Sequence, residues 1–281
     1  MRVPFTKMHG LGNDFIFVDV RNTPLPKPEE FSRKFGDRRF GIGADQILLV
    51  GKSTVGDLKM EIYTQDGSKV EMCGNGIRCF AKYVADRALP EGRGKDVLNV
   101  ETLAGIIRPR RLADGRVEVD MGEPRLKPDV VPVKLDGERV VDREVTLAGA
   151  KRRVTCVSMG NPHAVFFVDD VAAIDLEKVG PAIETDALFP RKTNVEFVQV
   201  LKDGVLLTRV WERGAGITLA CGTGACAVGV AAVLNQKAAR KNTVRLPGGD
   251  LAIEWRESDN RVYMTGPASE VFSGEVEWNP S

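Results

Sequence analysis

Cys73-Gly74-Asn75-Gly76 and Cys221-Gly222-Thr223-Gly224 decide how this chain is read. The two cysteines stand 148 positions apart in a chain of 281 residues. Each opens a glycine-rich turn that leads into an apolar, helix-forming stretch. The same offset relates Asn13, in Gly12-Asn13-Asp14, to Asn161, in Gly160-Asn161-Pro162. It relates Gln46 to Asn194, and the run ending at Tyr63-Thr64 to the one ending at Trp211-Glu212. Phe17-Val18-Asp19 recurs as Phe167-Val168-Asp169, and Met121-Gly122-Glu123-Pro124 as Met264-Thr265-Gly266-Pro267. Markers in one order, at a single period near half the chain, indicate an internal duplication into two similar domains. Two thiols placed alike in two halves suggest a site at their seam, with one sulfur on each side. That arrangement can take a proton from one face of a carbon and return it to the other.

The length allows two domains, each with its own core. Residues 1–123 with 269–281 are expected to form one, and residues 124–268 the other. The basic and acidic residues number 40 and 39, for a net charge of +1. Arg108-Pro109-Arg110-Arg111 and Lys151-Arg152-Arg153 are short, strand-flanking clusters, so a nucleic-acid partner is not expected. The first fifteen residues lack the apolar core of a signal peptide. Residues 214–236 carry no charge, as a membrane span would. Their five glycines argue instead for a turn followed by a helix buried on all sides. Five cysteines without a disulfide pattern point to reduced thiols in the cytoplasm. Helices are expected over 77–87 and 224–239, with weaker ones over 28–35 and 175–185. Strands are expected over 15–20, 47–50, 58–64, 97–102, 106–112 and 117–121 in the first half. In the second they are expected over 154–159, 164–168, 195–200, 205–211, 251–255 and 262–265, with an extra strand at 271–278.

A helix N-terminus presents free backbone N–H groups and a partial positive charge. Glycines there let a ligand come close to the backbone. Two such turns suit a carboxylate, and the same field lowers a thiol's pKa from about 8.5 toward neutrality. A thiol tuned that way serves as base or acid near pH 7. A lone cysteine is ordinarily a buried small hydrophobe, the reading given to Cys79, Cys156 and Cys226. Zinc is a poor alternative, because the cysteine spacings lack paired short clips and there are two histidines, His9 and His163. No Cys-x-x-Cys redox motif occurs.

At this point the motifs resemble a known family. Met8-His9-Gly10-Leu11-Gly12-Asn13-Asp14-Phe15, Cys73-Gly74-Asn75-Gly76-Ile77-Arg78-Cys79 and Met159-Gly160-Asn161-Pro162-His163 are similar to diaminopimelate epimerases. So are Glu212-Arg213-Gly214-Ala215-Gly216, Ala220-Cys221-Gly222-Thr223-Gly224-Ala225-Cys226 and Met264-Thr265-Gly266-Pro267. The resemblance spans the whole chain. It implies an isomerase that interconverts LL- and meso-diaminopimelate without pyridoxal phosphate, metal or other cofactor, in lysine and peptidoglycan precursor biosynthesis. It implies an α+β fold of two pseudo-symmetric domains, each a mixed β-sheet or barrel wrapped around a central helix. The family's catalytic cysteines map onto Cys73 and Cys221. Substrate contacts map onto Asn13, Gln46, Asn161, Asn194, Glu212 and Arg213, with Thr64 at a further such position. Backbone donors map onto Gly74, Asn75, Gly222 and Thr223. His163 and Glu212 match positions that adjust the thiols. A homodimer is also implied, and the composition adds that no membrane or nucleic-acid partner is expected.

Thr64 and Gln65 stand where the family usually carries Asn and Ala. Thr64 keeps a hydroxyl but lacks the amide's donor and acceptor pair. Ile217 and Leu219 replace polar residues before the second cysteine. Asn beside Gly is also an ordinary turn residue, and Glu212 with Arg213 could be a surface ion pair. Two other functions are compatible with the residues alone: a racemase for another amino acid on the same duplicated fold, and an amino-acid-binding protein without catalysis.

Overall fold

The computed structural model describes residues 1–280. The first half contains β1 (Arg2–Gly10), β2 (Asn13–Asp19), α1 (Pro28–Gly36), β3 (Gln46–Gly51), β4 (Leu58–Thr64), β5 (Lys69–Val70) and α2 (Gly74–Asp86). It continues through β6 (Val100–Thr102), β7 (Gly105–Ile107), β8 (Arg110–Arg111) and β9 (Val117–Asp120). Next come β10 (Arg143–Leu147), β11 (Ala150–Ser158), β12 (Pro162–Phe167), α3 (Leu176–Glu184), β13 (Asn194–Val200) and β14 (Leu206–Glu212). The remainder is β15 (Gly216–Ile217), α4 (Gly222–Leu234), β16 (Lys241–Leu246), β17 (Gly249–Trp255), β18 (Val262–Gly266) and β19 (Ser269–Glu277). The fold is mixed α+β. It divides into two compact units, one of Met1–Val119 with the segment from Gly266 onward, the other of Asp120–Thr265.

The first unit carries an eight-stranded sheet in the order β19-β1-β2-β3-β4-β6-β7, with β5 on β4. In the second unit the strands run β10-β11-β12-β13-β14-β16-β17-β18, with β15 on β14. The duplication is visible in the registers. Phe15 pairs with Gln46 across parallel strands, and His163 pairs with Asn194 in the same way. Ile47 opposes Tyr63 as Val195 opposes Trp211. Tyr63 opposes Lys69 as Trp211 opposes Ile217. All five residues of the second set lie 148 positions after their counterparts. Past the helices the offset contracts: Leu58 pairs with Val100, whereas Leu206 pairs with Val244.

Each unit is built on the helix that follows its Cys-Gly-x-Gly turn. Ile77, Phe80, Tyr83 and Val84 of α2 are buried, and the Tyr83 ring stacks on Phe17 with centroids 5.3 Å apart. α4 is apolar on every side, as Val228, Val230, Ala231 and Ala232 are all fully buried. It touches β11, β12, β13, β14, β16 and β17, so the sheet surrounds it. This helix has 13 residues, and no helix among those described is long and apolar enough to cross a membrane.

Both central helices begin earlier than the sequence pattern indicates, because the glycines of the two turns already have helical geometry. α4 also ends earlier, at Leu234. Gln236 adopts a left-handed φ of 56°, and Lys237 N–H closes the helix on Ala232 O. Strand β1 was not expected. Its core-facing run includes Thr6 and Lys7, which breaks the alternation that marks a strand. Strands β10 and β16 are also additional to the sequence reading.

Gly229 lies in the middle of α4, where alanine would be favoured by about 1 kcal/mol on helix propensity. A Cβ there would stand 2.7 Å from Ile253 Cγ2 and 3.0 Å from Asn242 Oδ1. Overpacking of this kind costs about 1–3 kcal/mol, so the clash wins. Gly229→Ala is expected to lower the urea midpoint of unfolding; an unchanged or higher midpoint would show that β17 yields freely.

Candidate active site

In the first unit, Cys73 is the N-cap of α2. Its sulfur accepts the Gly76 N–H at 3.4 Å, and its carbonyl accepts the Ile77 N–H. The thiol in turn donates to Asn13 Oδ1 at 3.6 Å. Asn13 Oδ1 also accepts from Asn75 Nδ2 at 3.2 Å, while Asn13 Nδ2 donates to Asp45 at 2.8 Å. Asp45 is held by Arg38, which also grips both oxygens of Asp14. Lys7 completes the cluster, bonded to Asp14 and to the Gly43 carbonyl. Burial opposes ionisation of Asp14, but hydrogen bonds from Arg38 and Lys7 outweigh it and hold the carboxyl well below its usual range. The buried Arg78 donates to Gly74 O, Asn75 Oδ1 and Pro267 O, which fixes the turn from behind. Gln46 Oε1 is buried and has no hydrogen-bond partner among the described residues.

Thr64 is engaged within its own turn. Its hydroxyl lies 2.5 Å from Asp66 Oδ1 and 2.7 Å from Ser68 Oγ. The Ser68 hydroxyl, which donates to Asp66 Oδ1 at 2.6 Å, and then that of Thr64 lower the Asp66 pKa to about 2. Gln65 has partners of its own. Its amide donates to the Gly36 and Ala44 carbonyls and ties down the segment leading to Gln46.

In the second unit, Cys221 caps α4 in the same way, accepting the Gly224 N–H at 3.3 Å. The Thr223 hydroxyl lies 3.5 Å from the sulfur. Asn161 Nδ2 donates to that hydroxyl at 3.3 Å, and Asn161 Oδ1 faces His163 Nε2 at 3.1 Å. His163 Nδ1 lies 2.6 Å from Glu196 Oε1, and neither side chain is exposed to solvent. Glu212 accepts from Thr218 at 2.5 Å. Asn194 donates to Pro162 O and accepts the Arg213 N–H, so its amide fixes the backbone at Arg213. The exposed Arg213 guanidinium reaches Arg191 O with one of its N–H groups.

The two thiols do not share one environment. Cys73 is partly exposed, whereas Cys221 is 4% exposed. Burial pushes the Cys221 thiol well above its ordinary value, and negative charge on Glu212, or on Glu196 were it ionised, pushes the same way. Hydrogen bonds from Thr223 and the Gly224 N–H oppose the rise without overcoming it. The lowering expected from the helix terminus is therefore reversed at Cys221. Cys79, deep in α2, is raised to about 12 by burial, in keeping with a packing residue.

Several residues that organise the two turns were not apparent from the sequence. Glu184 accepts from Trp211 Nε1 at 2.7 Å and from the Gly214 N–H at 3.1 Å, bracketing Glu212 and Arg213. Asp45, Arg38 and Glu196 are the others. Among the described residues, no group of three or more His, Cys, Asp or Glu side chains could hold a metal ion.

The diaminopimelate epimerase family model matches residues 5–127 and 155–271, which include both capped helices. This chain belongs to that family. Diaminopimelate epimerase of Acetivibrio thermocellus is 54% identical over 98% of the chain and 99% of its own length. The diaminopimelate epimerase of a Synechocystis species is 53% identical over 99% of the chain and its own full length. A phenazine biosynthesis protein of the PhzF family from Bacillus anthracis shares the fold, with a TM-score of 0.73 at 16% identity. That structure is covered completely, and 99% of this chain is matched. Diaminopimelate epimerases are isomerases of the racemase and epimerase class.

The different surroundings of the two sulfurs have a measurable consequence. A thiol raised in pKa stays protonated at pH 7 and yields thiolate only as pH climbs past its ordinary value of about 8.5. Iodoacetamide is expected to modify Cys73 at least about tenfold faster than Cys221 at pH 7.5, with the Cys221 rate still rising above pH 9. Peptide mass spectrometry of a time course measures both rates. Equal rates would mean that the two caps impose the same environment.

Proposed function

We propose that this chain interconverts LL- and meso-diaminopimelate, using two cysteine side chains and no cofactor, in the cytoplasmic route to lysine and peptidoglycan precursors. The observation that carries this reading is the repeated cap: a cysteine sulfur on the first turn of the central helix in each unit, within a chain of this family. Cys73 and Cys221 are the acid and base. One sulfur, as thiolate, takes the α-hydrogen and becomes a thiol. The other, as thiol, gives its proton to the opposite face of the carbanion and becomes a thiolate. The reverse reaction exchanges the roles, so the pair titrates as a coupled unit.

The first N–H groups of a helix have no partners within it. Those of Gly74, Asn75, Gly222 and Thr223 are therefore the donors for the α-carboxylate, where charge develops as the proton leaves. Asn13 and the buried, unpaired Gln46 Oε1 suit the reacting amino-acid end. Asn161, Asn194 and Arg213 hold the end that is not turned over. Arg213 offers a planar, two-pronged contact to a carboxylate, which a lysine does not reproduce. Glu212 and His163 adjust the charge near Cys221. A homodimer fits this reading. Strand β19 lies at the edge of its sheet, with Val271 56% and Phe272 48% exposed, and such an edge is suited to cover by a second copy.

Cys73→Ala and Cys221→Ala are each expected to lose a hundredfold or more in kcat, in line with removal of a general acid or base. Incorporation of deuterium at the α-carbon of LL-diaminopimelate in heavy water measures it, and turnover within tenfold of the native rate in either variant would end the two-thiol reading. A panel including proline and other amino acids fixes the substrate; faster exchange into any of these than into diaminopimelate would change its assignment. For Arg213→Lys, kcat/KM is expected to drop by about tenfold or more, equivalent to ~1.4 kcal/mol. Native kinetics in that variant would take Arg213 out of the site.

A further inference from the structure

The two units differ at one buried place beneath their capped helices. A Cβ on Gly76 would lie 3.1 Å from Leu48 and 3.6 Å from Phe15. A Cβ on Gly224 would lie 2.9 Å from Glu196 Oε1 and 3.2 Å from Cys221 Sγ. Glu196 is the counterpart of Leu48, and His163 that of Phe15, each 148 positions on. All four are fully buried. The first unit thus builds this layer from two apolar side chains, so the fold itself does not require a carboxyl and an imidazole there. Burying polar groups costs free energy unless they are paired, and the cost is incurred only beside Cys221.

The hydrogen bonds define where the protons are. Asn161 Nδ2 donates to Thr223 Oγ1, so Asn161 Oδ1 is the acceptor that faces His163 Nε2. Nε2 must then carry a proton. Nδ1 of the same ring is 2.6 Å from Glu196 Oε1, close enough for a single shared proton. Glu196 Oε2 is buried and lacks a hydrogen-bond partner among the described residues. An ionised carboxylate would leave negative charge on that unpartnered oxygen, whereas a carboxylic acid leaves only a neutral carbonyl. Burial itself raises the Glu196 pKa, and Glu212 adds to the rise, while His163 opposes it.

We propose that Glu196 is a positioning residue that keeps its proton in the resting enzyme, donating a hydrogen bond through it to His163 Nδ1. The imidazole is thereby fixed as the neutral Nε2–H form within the hydrogen-bond chain His163–Asn161–Thr223 that ends at the Cys221 thiol. The assignment rests on Cys221 being one of the two reacting thiols. Its benefit is electrostatic. Glu196 Oε1 and Cys221 Sγ both lie about 3 Å from one point, and an ionised Glu196 there would oppose formation of the Cys221 thiolate. The neutral acid removes that opposition and keeps the ring oriented. The other titratable groups around Glu196 are His163 on β12, Cys156 on β11, Glu212 on β14 and Cys221 itself.

Nitrogen-15 NMR of the imidazoles tests this directly, since the chain has two histidines and His9→Gln identifies the His163 signals. At pH 7 the native protein is expected to show His163 with Nε2 protonated and Nδ1 bare. A glutamine amide also donates a hydrogen bond, so Glu196→Gln is expected to keep that tautomer and hold kcat within about threefold. Its activity should extend to higher pH than the native enzyme's, because it has no proton to lose. Glu196→Leu combined with His163→Phe copies the packing of the first unit. It is expected to fold, as judged by circular dichroism, and to lose about tenfold or more in kcat with little change in KM. The proposal is overturned if native His163 carries protons on both nitrogens or on Nδ1. It is also overturned if Glu196→Gln is as impaired as the apolar pair, or if the apolar pair keeps the native kcat and pH profile. The NMR result involves no turnover, so it stands whether or not the two-thiol reading survives the cysteine variants.

Discussion

The bond from a backbone N–H to a cysteine sulfur at the start of each central helix is the constraint around which both units are arranged. A helix start must find partners for its first N–H groups. Serine, threonine, aspartate and asparagine are the usual N-caps. Here a thiol takes that place, at 3.4 Å from Gly76 N and 3.3 Å from Gly224 N. The sulfur is thereby anchored where the helix field is strongest, while the neighbouring N–H groups remain for an anion. The surrounding elements serve that placement. Asn13, Asn75 and Arg78 hold the first turn, and Thr223, Asn161 and Asn194 hold the second and its approach.

Which effect sets the state of a capped thiol is a question of magnitude. The helix terminus contributes about 0.3–1 kcal/mol at an ordinary exposed site. Burial of an ionisable group shifts its pKa by up to 3–5 units, equivalent to about 4–7 kcal/mol at 1.36 kcal/mol per unit. At Cys221 burial prevails, and the nearby Glu212 adds to it. The duplicated halves therefore present two thiols that are alike in backbone and unlike in electrostatics. In the proposed two-thiol reaction, which needs one proton donor and one acceptor at any instant, unequal sulfurs provide a defined starting state.

What the sequence disclosed depended on repetition. Cys73 and Cys221, Asn13 and Asn161, Gln46 and Asn194 are legible because each occurs twice in one register. Residues whose counterparts are chemically unrelated gave no such signal. Glu196 corresponds to Leu48, so no comparison of halves brings it forward. Glu184 and Asp45 act through backbone N–H groups and amides at positions that only the folded chain defines. Periodicity located most strands but missed β1, because Lys7 is buried there by its pairing with Asp14. It also carried α4 too far, since the helix ends on Asn235 and a left-handed Gln236, with no glycine to mark the end.

Strand β19 has a consequence for how the molecule is made. It pairs along β1 from Arg2↔Glu277 to His9↔Ser269, and Trp278 packs its ring against Phe31 and Phe35. The unit that contains Cys73 thus takes an edge of its sheet and part of its core from residues 269–278, beyond the whole of the other unit. Domains commonly fold in order as the chain emerges during synthesis. Here that order is inverted. The Cys221 unit is contiguous from Asp120 to Thr265 and has all its residues first, while β1 waits with an open edge until β19 has left the ribosome. Over that interval β1 is paired on one side only, with β2, and its other edge stays open.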